Sequence, residues 1–227
     1  MSAKEISLDV GESLAHTPST LRAAVLRFAR APTALILSGL FAATFGYRLS
    51  LGALEAYELL VPLCVLAFWP FQEWLIHVFI LHFKPRKWGP ITIDLPVAKK
   101  HRHHHLHPWE IDEGFMPLHA IFFSMPLLYG LWFGLAPTKE LAATGTATWV
   151  LLSLHYEWVH FIVHTRYRPK LAVYERMWRN YRLHHCKNEH YWMGVSTQLG
   201  DKVLGTSPDP KSTETSKTCR TLGMRTF

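Results

Sequence analysis

Fourteen of the 15 histidines lie between positions 77 and 190 of this 227-residue chain. All but His119 fall into four groups: EWLIHVFILH with His77 and His82, HRHHHLH over 101–107, HYEWVHFIVH with His155, His160 and His164, and YRLHHCKNEH with His184, His185 and His190. Neutral imidazole is a ligand for iron, zinc, copper and nickel. Helical geometry selects among the rings. Positions i, i+3 and i+4 share a face, which picks His101, His104 and His105 and turns His103 and His107 elsewhere. His160 and His164 share a face with Glu157, and His184 and His185 share one with Tyr181. His155 lies roughly opposite His164, at about 100° per residue. Glu73 stands one turn before His77, and both it and Glu157 are placed to accept the outer N–H of a ligating ring. Nine imidazoles, His77, His82, His101, His104, His105, His160, His164, His184 and His185, exceed what one ion needs and suit two. Zinc has no redox chemistry, so a histidine-only pair of ions beside apolar helices points to iron. Taken singly, HRHHHLH also suits a solvated basic loop, and His77 or His160 a satisfied interfacial ring.

The elements that carry these groups are apolar. Four stretches, about 33–53, 59–82, 115–135 and 142–164, approach the ~20 residues that cross a ~30 Å hydrocarbon core. Ionisable groups inside such spans are costly and mark function. With four spans, 22 of the 24 Lys and Arg fall on one side, leaving only Arg48 and Lys139 on the other. Basic residues accumulate on the cytoplasmic side, so both termini and all four histidine groups are expected there. The net charge of +7 is then topology, and a nucleic-acid partner is not needed. The expected fold is an all-α integral membrane protein: four transmembrane helices and a cytoplasmic helical cap carrying a histidine-rich di-metal site. A cytoplasmic arm over 1–32 has a short amphipathic helix at 21–32, the membrane domain runs over 33–205, and 206–227 is a polar tail with the composition of disorder. The arm lacks the basic-then-apolar order of a signal peptide. Three scattered cysteines exclude a disulfide scaffold. The absence of HExxH argues against a zinc protease.

The ordered set HVFILH, HRHHH, HFIVH and RLHH, followed by GVSTQLGDKVLGT, resembles the fatty acid hydroxylase/sterol desaturase superfamily over about residues 70–205. Within it the resemblance is strongest to the fatty acyl 2-hydroxylases. Their H-x4-H matches His77 and His82, their first H-x2-H-H matches His101, His104 and His105, and their H-x3-H matches His160 and His164. Their last H-x2-H-H matches His184 and His185, but Tyr181 replaces its first histidine, and Asn188 stands where a further one is expected. Tyr181, water or His190 would have to fill that place. The resemblance implies a membrane di-iron enzyme that uses O2 to hydroxylate a lipid, with two Fe ions (zinc being possible in purified protein). It implies no conventional acid or base. The His-Pro-Gly-Gly motif of a fused haem domain does not occur, which implies a separate electron-donor protein. Trp109, Phe115, Trp192 and Met193 are candidates for an entrance, although core packing explains each singly.

Two kinds of alternative stay open at this point. One is a carotenoid or sterol hydroxylase or desaturase of the same superfamily, which the histidines do not separate. The other is a different class: a bis-histidine haem electron carrier, to which three consecutive histidines are surplus, or a metal transporter, which needs polar residues at mid-depth in every span.

Overall fold

The computed structural model describes residues 16–219. Residues 1–15 of the expected arm and 220–227 of the expected tail lie outside the described residues. The first helix, α1 (Leu21–Phe28), is capped by Thr20, whose hydroxyl accepts from the Ala23 N–H. Pro32 opens α2 (Pro32–Ser50), and the two helices meet at 75°. A short 3₁₀ turn leads into α3 (Leu60–Ile76), which continues without a break through a π-helical turn over His77–Leu81. The chain then makes a small hairpin, β1 (Arg86–Trp88) and β2 (Ile91–Ile93). Gly89 turns it at a φ of 59°, which costs glycine little. This hairpin corrects the all-α expectation. Pro96 starts α4 (Pro96–Leu106), and α5 (Leu118–Leu135), α6 (Lys139–Val163), α7 (Ala172–Cys186) and α8 (Leu199–Leu204) complete the order.

Helix α6 is the axis of the molecule and packs against α2, α3, α5 and α7. Its small residues Ala142, Ala143, Gly145, Thr146 and Ala147 are buried and let neighbours approach closely. A Cβ at Gly145 would lie 2.3 Å from the Trp132 ring of α5. At the end of α6 away from the histidines, Arg48 donates to Glu58, and Thr144 donates to the same carboxylate at 2.8 Å. That buried ion pair ties α2, the turn before α3 and α6 together.

Two helical stretches, Ala56–Leu81 and Ile111–Leu135, are long and apolar enough to cross a membrane, and the bent pair α1–α2 makes a third if counted as one span. Helix α6 is long but falls short in apolarity. Thr146, Ser153, Glu157 and His160 interrupt it, and all four are buried against its neighbours, where lipid need not solvate them. On α3 and α5 the large apolar residues Leu63, Leu66, Phe68, Phe122, Phe123 and Leu127 are exposed, as lipid-facing residues of a spanning helix would be. The tail expected to be disordered is described through Cys219, and the Ser216 N–H donates to the Lys187 carbonyl at 2.8 Å.

Candidate metal centre

The structure gathers all nine histidines into two adjacent groups. One holds His77, His82, His101, His105 and His184, the other His104, His160, His164 and His185, and within each group the ligand atoms lie within 4.8 Å of one another. Helix α4 contributes to both. His101 and His105 turn to the first group and His104 to the second, because one residue of helix rotates a side chain by about 100°. The adjacent pair His184 and His185 of α7 divides in the same way. The rings of His105 and His185 stack with centroids 4.4 Å apart, so the groups share a wall.

His77 and His82 need a special backbone. Five residues apart on an α-helix, they would diverge by roughly 140°. The π-helical turn instead sends the His82 N–H to the His77 carbonyl at 2.9 Å, an i to i−5 bond. The wider turn brings both rings to one face, with centroids 5.0 Å apart. Such π-turns occur mostly at functional sites.

The nitrogens suit a cation better than one another. In the five-histidine group the Nε2 atoms of His77, His82, His101, His105 and His184 make five contacts of 3.0–3.3 Å. The Nδ1–H of His77 donates to the Met193 carbonyl at 2.5 Å, and that of His184 to the Tyr191 carbonyl at 2.8 Å. Their Nε2 atoms therefore carry lone pairs, and the cluster of contacts cannot be a set of N–H donations. In the four-histidine group the His164 Nδ1–H donates to the Pro108 carbonyl at 2.8 Å, and its Nε2 lone pair faces His104 Nε2 at 3.1 Å. His160 Nε2 and both nitrogens of His185 are buried without a partner. Burial, reinforced by neighbouring imidazoles, holds His101, His104, His105, His184 and His185 well below the ordinary 6.5, so they are neutral and ready to ligate. Lone pairs converging in a buried, uncharged cluster fit a divalent metal in each group.

The carboxylates expected to orient the rings do something else. Glu73 accepts from the Val195 N–H, the Ser196 N–H at 2.7 Å and the Ser196 hydroxyl at 2.6 Å. Glu157 accepts from the Met116 N–H at 3.0 Å and the Thr33 hydroxyl at 3.2 Å. Both pin distant chain segments onto the helices that bear histidines, while backbone carbonyls orient the rings. His190 is on the surface, 3.8 Å from Glu189, and does not enter either group. Tyr181 does enter, fully buried among the rings, although its hydroxyl has no partner. His103 is exposed and faces Glu113 at 3.8 Å, as expected of a residue off the ligand face.

Three supports carried no clear signal in the sequence. Arg182 donates to the Val163 and Thr165 carbonyls at 3.0 and 2.8 Å, closing the end of α6 where His160 and His164 sit. Asp201 accepts from the Met193 and Gly194 N–H groups at 2.8 and 2.7 Å, and so holds the carbonyl that anchors His77. Gly114 lies against the four-histidine group, where a Cβ would be 3.4 Å from His104.

An apolar cavity of about 400 Å³ starts at His101, His104 and His160. It runs between α3 and α5, past Trp69, Ile76, Ile80, Met125, Leu128 and Leu131. Phe115 lines it, whereas Trp109, Trp192 and Met193 are buried packing residues. A larger hollow of about 680 Å³ lies beside Glu58 and Thr144, but no histidine lines it. The smaller cavity is the one that meets the chemistry.

A family profile for fatty acid hydroxylase matches residues 62–206. The chain belongs to the fatty acid hydroxylase family. That stretch of the fatty acid hydroxylase domain begins in α3, ends just after α8 and contains every histidine of the two groups. Among curated proteins, the dihydroceramide fatty acyl 2-hydroxylase FAH1 of Arabidopsis thaliana is 25% identical over 158 residues. The match covers 67% of this chain and 63% of the relative, so the chain spans less than two thirds of that relative's length. Among solved structures, the hydroxylase domain seen in full-length Scs7p superposes with a TM-score of 0.64. It is 21% identical, with 83% of this chain and 69% of that one covered, and shows a shared fold. The chain is thus a fatty acid hydroxylase family member whose two histidine clusters could each hold a metal ion.

Proposed function

We propose that this protein is a membrane di-iron oxygenase that hydroxylates the fatty acyl chain of a lipid, using O2 and electrons from a separate carrier protein. The observation that carries this reading is the pair of histidine groups at the head of an apolar cavity. Four or five imidazoles around one point suit a single ion, not the two axial ligands of a haem, which weighs against the electron-carrier alternative. Two irons, bound one per group, supply dioxygen activation and the oxidation of an unactivated C–H bond.

The chain's own residues do the rest. The five-histidine set of His77, His82, His101, His105 and His184 and the four-histidine set of His104, His160, His164 and His185 hold the ions. Carbonyls of Met193, Pro108 and Tyr191 fix which ring nitrogen faces inward. Ile76, Ile80, Leu128 and Leu131 give an acyl chain an apolar bed and keep bulk water from the reacting carbon. The cavity lies between the two helices apolar enough to span a bilayer, which supports entry of the substrate sideways from the lipid. We further read the protein as multi-pass with α6 as a fourth span. The excess of Lys and Arg beside the histidines supports a cytoplasmic metal centre and cytoplasmic termini.

The test is lipid mass spectrometry of cells with and without the expressed gene under 18O2. A new lipid heavier by one labelled oxygen is expected. A lipid lighter by two hydrogens would replace hydroxylation with desaturation. An unchanged lipid profile with an active electron donor present would overturn the proposal.

A further inference from the structure

The two histidine groups are unequal, and Tyr181 stands at the point of inequality. Its ring centroid lies 5.3 Å from His160 and 5.0 Å from His185 of the four-histidine group, and 5.1 Å from His184 and 5.8 Å from His77 of the five-histidine group. Those spacings match the spacings between imidazoles inside the groups, such as 5.0 Å for His104–His160 and 4.9 Å for His104–His185. Tyr181 thus occupies a ring position in the shell but brings no imidazole nitrogen. Its phenol oxygen has no hydrogen-bond partner to take a proton, so it is not prepared to become an anionic ligand.

Ring anchoring is unequal too. In the five-histidine group, His77 and His184 each have the outer N–H held by a backbone carbonyl. In the four-histidine group His164 and His160 are held by the backbone of Pro108 and Gly114, but His104 Nδ1 and both nitrogens of His185 are buried without a partner. Fixing the outer nitrogen of a metal-bound ring is commonly worth about 10–100-fold in metal affinity. Finally, His104 and His160 line the apolar cavity, so this group faces it more than the other does.

We propose that the two metal positions differ in affinity: the five-histidine position fills first, and the four-histidine position, one imidazole short and facing the cavity, holds its metal more weakly and exchangeably. The four-histidine group would offer its ion one imidazole fewer than the five-histidine group. The weaker position is then the one with room for a small molecule arriving from the cavity. This inference rests on the reading of the site as a two-metal centre.

The test is cobalt retention by the full chain in detergent. Protein loaded with Co2+ is dialysed against graded chelator, and metal per chain is counted. Two separate losses are expected, at chelator strengths about tenfold or more apart. His164→Ala should remove the weaker step and leave one tightly held ion. Tyr181→His should draw the two steps together, and Tyr181→Phe should leave them apart. Release of both ions in one step from the wild-type chain would overturn the inference. So would loss of the weaker ion in Tyr181→Phe, which would make the phenol a ligand. Failure to bind any cobalt would instead overturn the metal centre itself, a result distinct from equal release.

Discussion

At the scale of single residues, helical position separates ligands from bystanders within one run of histidines. In HRHHHLH, His104 is buried with its Nε2 3.1 Å from that of His164. His103 is one position away, exposed, and 3.8 Å from Glu113. His104→Ala and His160→Ala should each lower lipid hydroxylation by at least about 100-fold, since losing a ligand costs more than losing its outer support. His103→Ala should leave most activity. Product formation per mole of folded protein checks this, and equal losses from all three would remove the basis for the assignment. The ligand face was legible from spacing alone. The outer-nitrogen partners were not, because backbone carbonyls of Met193, Pro108 and Tyr191 leave no mark in residue type. The expectation that Glu73 and Glu157 play that role failed for the same reason. Spacing shows that a carboxylate is near, not which of several donors it accepts from.

At the scale of elements, the stretch GVSTQLGD owes its composition to close packing. Gly194 N–H donates to Asp201, and a Cβ at Gly194 would sit 1.9 Å from the Thr197 carbonyl oxygen. Gly200 passes the Pro70 carbonyl of α3 so closely that a Cβ would be 2.5 Å from it. Val195 and Ser196 donate to Glu73 of α3. The loop is thereby stapled across the helix that bears His77, and its Met193 carbonyl orients that ring. Gly194→Ala should cost about 2 kcal/mol, as overpacking against a backbone atom does, and should also reduce metal retention. Gly39→Ala, with nothing within 4 Å of the added Cβ, is the control. Thermal unfolding together with metal content reads both effects. The π-turn at His77–Leu81 belongs to this scale as well. H-x4-H is visible in the chain, but only the formed turn puts the two rings on one side.

For the molecule as a whole, the burial of so many neutral imidazoles links stability to pH. In the folded, metal-free chain His101, His104, His105, His184 and His185 are held well below 6.5, chiefly by burial. The unfolded chain therefore binds more protons than the folded one once pH drops below about 6.5, and stability rises with pH across that window. Metal-free protein should unfold at progressively lower temperature as pH falls from about 7 to 5. The loss should start near the ordinary imidazole value rather than in the carboxylate range. Metal-loaded protein should resist this until protons displace the ion. Scanning the melting temperature against pH with and without Co2+ tests both statements, and a flat metal-free profile would contradict the linkage.

Residue order alone carries the helical, membrane-like architecture and the nine rings that meet. Apolar length and the i, i+3, i+4 repeat are local properties that need no knowledge of neighbours. It also carried the family, through the order of its histidine motifs. The small β-hairpin was beyond it, because short strands depend on contacts far away in the chain. How the rings divide between the groups is set by the packing of the helices. His184 and His185 are adjacent in sequence yet serve different groups, and His101 and His105 part from His104 within a single turn. That division depends on where α3, α6 and α7 stand around α4, a relation among helices that no local pattern encodes. The same relation places Tyr181 between the two groups, beside His160 and His185 on one side and His184 and His77 on the other, and leaves four imidazoles in one half of the site against five in the other.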